Sequence, residues 1–176
     1  MKTCISIMFF AALATSASAD VVAAGPDHYE LRHEASSSLP PAEMWDRLVQ
    51  PEIWWHPDHT YSGDAANLSL NATAGGLWRE DWEGGSVSHG EVLMVREGEQ
   101  LRLDAPFGPL QEMGVQVTWT ITLDPDGDGT RVTFHEVASG SSATSLDQIA
   151  PAVDNVKAQA IARLTAEPVM PDTQTD

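Results

Sequence analysis

VQVTWTITLDPDGDGTRVTFHEV, Val115 to Val137, decides the fold. Val115, Val117, Trp119, Ile121 and Leu123 alternate with Gln116, Thr118, Thr120 and Thr122. That period of two describes a strand with one buried and one wet face. After the acidic turn Asp124 to Gly129 the alternation resumes, with Val132, Phe134 and Glu136 opposite Arg131, Thr133 and His135. Two such runs joined by a short Gly-bearing turn form an antiparallel hairpin. The turn itself mimics a calcium loop, with Asp at its first, third and fifth positions and Gly at its sixth. Its twelfth position is His135 rather than Glu and its flanks are strands, so the calcium reading fails.

The same texture extends upstream. NLSLNA, LWREDW, SVSHGEVLMV and QLRLDA read as four more strands, separated by Gly75-Gly76, Gly84-Gly85, Glu97-Gly98-Glu99 and the Pro106 to Gly114 loop. Spacing this tight implies an antiparallel meander. HYELRHEASS, His28 to Ser37, adds a seventh strand with Tyr29, Leu31 and His33 on one face. Behind it, PAEMWDRLV repeats Ala42, Trp45, Leu48 and Val49 at helical spacing, and Pro51 opens a second short helix with Ile53, Trp54 and Trp55 that Pro57 closes. Downstream, SLDQIAPAVDNVKAQAIARL switches to a helical stripe of Leu146, Ile149, Val153, Val156, Ala160, Ile161 and Leu164. Ser145 and Gln148 have capping-box spacing, and Pro151 predicts a separate first turn or a kink. A long amphipathic helix after a meander buries its stripe on the apolar face of the sheet.

The chain opens MKTCISIMFFAALATSASAD, with Lys2, an apolar run from Ile5 to Ala14 and Ala17-Ser18-Ala19 as a small-residue cleavage site. This is the pattern of a secretory signal peptide over residues 1–19, followed by one domain over 20–167 and a frayed tail over 168–176. The expected location is periplasmic or secreted. The apolar run is too short to span a bilayer, so no membrane span is expected. Cleavage would remove Cys4, the one cysteine, and with it any disulfide or thiol chemistry. The formal net charge is −17, and one unit more negative without Lys2. Such a field repels nucleic acid, which is not an expected partner.

Strand, two short helices, six strands and a long C-terminal helix is the helix-grip order, an α+β fold with a seven-stranded curved antiparallel sheet wrapped round the last helix. PPAEMWDRLVQPEIWWHP, AGGLWRE, HGEVLMVREGEQLRLD and VTWTITLDPDGDGTRVTFHE together resemble the START-like superfamily (SRPBCC), which includes birch-pollen-allergen-like and polyketide-cyclase-like proteins. Within it the likeness is to the branch named after activators of the heat-shock chaperone ATPase, over about Tyr29 to Leu164. The resemblance implies a cavity between sheet and helix for a small hydrophobic or amphipathic ligand. The branch name itself does not carry over, because an exported chain would not meet a cytosolic chaperone partner.

Alternation puts Glu80 between Trp78 and Trp82 on one face, where a carboxylate is costly unless it is paired or wet. Glu136 follows Phe134 on its strand, and His89 lies in line with Val87 and Glu91 on another. Converged in a cavity, Glu80, Glu136 and His89 would form acid, base and hydrogen-bond donor for cyclisation, dehydration or hydrolysis. That enzyme is the alternative; the leading expectation is an exported protein that binds a small hydrophobic or amphipathic molecule in its cavity, with these side chains at a solvated rim. A third reading is an envelope protein-interaction module. Trp54, Trp55, His56, Trp78, Trp82, Trp119 and Phe134 are the expected ligand-contacting side chains, with Trp54 and Trp55 as a lid, one facing the core and one the cavity mouth. His56 and His59 sit three apart on a Pro-broken loop, which is no zinc geometry. No phosphate loop, dinucleotide fingerprint or nucleophile elbow is present. No metal or cofactor is therefore expected.

Overall fold

The computed structural model describes residues 18–167, with side chains from Val21 onward. Most of the expected leader and the whole expected tail, 168–176, lie outside the described residues. Eight strands run β1 Ser18–Gly25, β2 His28–Ser37, β3 Leu68–Leu70, β4 Leu77–Trp82, β5 Gly85–Arg96, β6 Gln100–Asp104, β7 Gln116–Asp126 and β8 Gly129–Ser139. The helices are α1 Pro41–Leu48, α2 Pro109–Glu112 and α3 Leu146–Thr165. The strands form one antiparallel sheet in the order β1-β2-β8-β7-β6-β5-β4-β3. The architecture is α+β helix-grip.

Three expectations need correction. The sheet has eight strands rather than seven, because Ser18 to Gly25 pairs with β2 along its free edge. Edge pairing uses backbone groups and demands little of the side chains, and Val21 and Val22 stay exposed, so alternation does not reveal this strand. Only one α-helix follows β2. Pro51–Ile53 is a single 3-10 turn, since prolines at 51 and 57 leave too little chain between them for helical bonding. Finally, α3 runs continuously through Pro151, and Ser145 makes no capping bond. Its φ of 56° turns the chain sharply into the helix, and the N–H of Leu146 is satisfied by the carbonyl of Pro26 at 2.9 Å.

The β7–β8 hairpin confirms the alternation that sets the fold. Val117, Trp119, Ile121 and Leu123 are buried, and so are Val132, Phe134 and Glu136 across from them. Gly129 is required where the hairpin closes, because a Cβ there would lie 2.0 Å from the carbonyl oxygen of Ser37. The apolar face packs on α1 and α3. One core cluster surrounds Trp54, Trp78, Trp119 and Phe134, and a second joins Tyr29, Leu31, Val117 and Ala138 to Leu146 and Ala150. Helix α3 packs chiefly on β2, β1 and β8, at one end of the sheet order. The space beside it is bounded by α3, by α2 and by the loops around Trp55 and Phe107.

Candidate functional site

That space is a cleft of about 670 Å3, inside the roughly 300–1,000 Å3 typical of small-molecule sites. Trp55 and the 58–61 segment form one wall, and Ala105, Phe107, Leu110 and Met113 form a second. The third is α3, through Ile149, Ala152, Val153, Val156 and Lys157. Tyr61 and Met113 are about half exposed at the rim. The walls are mostly apolar, as a ligand with a hydrocarbon body requires, with polar side chains in the 58–61 segment, at Glu112 and Gln148, and where Lys157 meets Glu136.

Lys157 is 3% exposed and Glu136 2%, and their charged atoms lie 2.7 Å apart. Beyond this contact with each other, neither Nζ, which carries three protons, nor the facing Oε2 has a hydrogen-bond partner. Glu136 Oε1 accepts from the Tyr29 hydroxyl at 2.7 Å. Sheet register produces this grouping: Glu136 stands opposite Trp119 on β7 and opposite Leu31 on β2, with Tyr29 two residues along. Lys157 Nζ rests 3.2 Å from the centre of the Trp119 ring and 4.8 Å from that of Phe107, a cation–π cage. Burial pulls the Lys157 ammonium below its usual range, while the charge of Glu136 opposes the fall. Burial, aided by Glu136, pushes the Tyr29 phenol up, so it stays protonated.

Glu80 and His89 form a separate buried pair, Nε2 to Oε2 2.9 Å. Trp78 faces Gly90 and Arg79 faces Ser88, so His89 is the extra residue of a β-bulge. The bulge breaks the expected parity, turning His89 inward while Glu91 is exposed. Glu80 also accepts from the backbone N–H groups of Tyr61, at 3.0 Å, and Ser62, at 2.5 Å. The pair thus ties the loop that walls the cleft to the sheet, and the His89 ring stacks on Phe107 at 5.3 Å. Burial works to raise the Glu80 carboxyl, but donors from Ser62, Tyr61 and His89 outweigh it and hold it low. Burial lowers His89, against the pull of Glu80. An ionised Glu80 therefore accepts from a neutral His89 that carries its proton on Nε2.

Both folded-state pKa values lie below their ordinary values of 6.5 and 4.5, so the unfolded chain binds protons first on acidification. Stability from this pair is present at neutral pH. It should fall as pH drops below 6.5, and further below 4.5. Urea midpoints measured from pH 7 to pH 4 should show the decline, and His89→Gln should remove the part that sets in below pH 6.5; equal slopes between pH 6.5 and 4.5 in both proteins would contradict this.

Of the expected side chains, Trp55 and Glu136 line the cleft. Trp54 is wholly buried behind Trp55, their rings edge-on at 5.7 Å, in keeping with one core-facing and one cleft-facing tryptophan. Trp78, Trp119 and Phe134 form the aromatic floor beneath, and Trp119 carries Lys157 on its face. Trp82 is half-buried at the β4–β5 turn, against Gly85. His56 caps its own turn by accepting from the Asp58 N–H at 3.1 Å. Glu80 and His89 come together, whereas Glu136 sits with Lys157 and Tyr29 instead. Sequence reasoning missed Lys157, Tyr29 and Phe107. A signal for Lys157 exists: apart from Lys2 it is the one lysine of the chain, and it falls on the apolar stripe of α3, four residues after Val153 and three before Ala160.

Residues 38–167 match the family described as Activator of Hsp90 ATPase homolog 1-like protein. No curated protein matches the chain. Among solved structures, a conserved protein of unknown function from Enterococcus faecalis is 13% identical, with a TM-score of 0.53 over 85% of this chain and 78% of that one. A Mycobacterium smegmatis protein is 20% identical, with a TM-score of 0.54 over 77% and 88%. A Mesorhizobium loti protein is likewise 20% identical, with 0.54 over 77% and 93%. At such identities the likeness is one of fold.

Proposed function

Because the chain belongs to the Activator of Hsp90 ATPase homolog 1-like family, a helix-grip family, we propose that its cleft binds a small amphipathic molecule with an apolar body and one uncharged polar group. The observation that carries this reading is the apolar cleft ending on the Lys157–Glu136 pair, whose facing atoms have hydrogen-bonding capacity to spare. A ligand carbonyl or hydroxyl would use that capacity, and Trp55, Phe107, Val153 and Val156 would cover the rest of the molecule. A carboxylate fits less well, since it would come up against Glu136 and must pass Asp58 and Glu112 in a strongly acidic protein.

The leader pattern supports export as a further part of this reading, with the ligand met outside the cytoplasm. Cleavage after Ala19 would leave Asp20 to Gly25 to pair with β2. Native mass spectrometry of the protein recovered from its own host tests both parts at once. The expected spectrum shows a chain beginning at Asp20 and carrying a small molecule that is released on denaturation. A chain beginning at Met1 would contradict export. A bare chain that takes up nothing from an extract of that host would contradict binding.

A further inference from the structure

The capacity to bind leaves one feature of the cleft unused, the chemistry of its lysine. Exported or not, the chain exposes its positive charge through arginine; its lysines are Lys2 and Lys157, and Lys157 is the one lysine among the described residues. A long flexible cation is an expensive choice for an apolar helix stripe, since leucine or methionine would fill the position without desolvating a charge. What lysine offers instead is a primary amine that becomes nucleophilic once it is desolvated and has a base at hand. Here the amine, itself without accessible surface, is buried in an aromatic cage of Trp119 and Phe107, beside an open cleft that Lys157 helps to line and 2.7 Å from a carboxylate.

We propose that Lys157 captures a carbonyl ligand, an aldehyde or ketone with an apolar body, as a reversible imine, with Glu136 relaying the protons. This rests on the reading of the cleft as a binding site and names the ligand class. Glu136 takes one proton from the ammonium, and the freed lone pair on Nζ attacks the carbonyl carbon. The carbonyl oxygen becomes a hydroxyl as Glu136 passes a proton from nitrogen to oxygen. Glu136 then protonates that hydroxyl, water leaves, and the C=N bond forms. The ammonium and the carbonyl compound have become a protonated imine and one water, with Glu136 again a carboxylate. The pair begins and ends with one positive and one negative charge, so the buried site undergoes no net change of charge. The iminium keeps both the carboxylate and the Trp119 face as partners. Tyr29 holds Glu136 by its other oxygen, leaving Oε2 toward Lys157.

The full chain is incubated at pH 7 with 6-methoxy-2-naphthaldehyde and sodium cyanoborohydride, whose hydride turns any iminium into a stable secondary amine, and modified peptides are mapped. The α-amine is the internal reference. In urea it should outcompete every lysine, because its pKa near 8 against about 10.4 leaves roughly two orders of magnitude more free amine. In the folded protein the ranking should reverse, with Lys157 modified about tenfold more than the α-amine because the cleft holds the aldehyde beside it. Lys157 modified no more in the folded chain than in urea would overturn the proposal. The matching alcohol, which forms no imine, separates the two readings: if it quenches tryptophan fluorescence saturably while the aldehyde is not trapped, binding stands and imine capture falls. If neither binds, both fall. In Lys157→Arg the total trapping in the folded chain should fall about tenfold, to the level of the α-amine, and total trapping undiminished in that variant would also overturn the proposal.

Discussion

Glu136→Gln should unfold far more easily than the parent chain, by about 3–5 kcal/mol, because it leaves the Lys157 ammonium buried without a counter-charge. For a domain of this size that corresponds to a fall in melting temperature of roughly 6–20 °C. The glutamine keeps the shape of the side chain and an oxygen for the Tyr29 hydroxyl, so the loss reports the missing charge. The variant should also gain stability as pH rises toward the ordinary lysine value of 10.5. The folded amine loses its proton more readily than the unfolded one, so the unfolded chain binds more protons over that range. Lys157→Met should be costly for the mirror-image reason. The double variant should recover most of the loss, since a buried ion pair replaced by uncharged groups of similar volume is often neutral or stabilising. Thermal unfolding of the four proteins forms a double-mutant cycle. A Glu136→Gln cost below about 1 kcal/mol would mean that water reaches the pair and that the cleft does not desolvate it.

The sheet was legible because its central strands are buried on one face only, so each residue declares its side by alternation. Glu136 was readable for the same reason, following Phe134 inward on β8. Alternation fails where the ladder does. The bulge at His89 shifts the parity of β5, and no local feature of VSHGEV announces it. β1 is invisible to the same reasoning because an edge strand is held by backbone pairing to residues distant in sequence. Lys157 was missed because a helical stripe is read by collecting apolar residues, and a lysine on it looks like an interruption. Its role depends on Glu136 and Trp119, brought beneath it by the register of β7 against β8. Trp55 was expected at the cavity mouth and lines the cleft, but the anchoring of the loop after it by Glu80 is tertiary: backbone N–H groups of Tyr61 and Ser62 reach a carboxylate eighteen or nineteen residues away.

The cleft itself can be closed from within. Val153 lies on α3 in its wall, and Val153→Trp would put an indole into the space assigned to the ligand's apolar body while Lys157, Glu136 and the core beneath Trp54 keep their own side chains. The test is a fluorescence titration with the neutral amphipathic dye N-phenyl-1-naphthylamine, run on the parent chain and on this variant after circular dichroism and thermal melts have shown that both are folded. Val156→Trp, on the same wall, serves if the first does not fold. The parent should bind one dye per chain saturably, and the tryptophan variant should lose affinity by about 100-fold or more, the effect of about 2.7 kcal/mol of lost contact. Undiminished one-to-one binding in a folded, cleft-filled variant would contradict the assignment of this cleft as the ligand site.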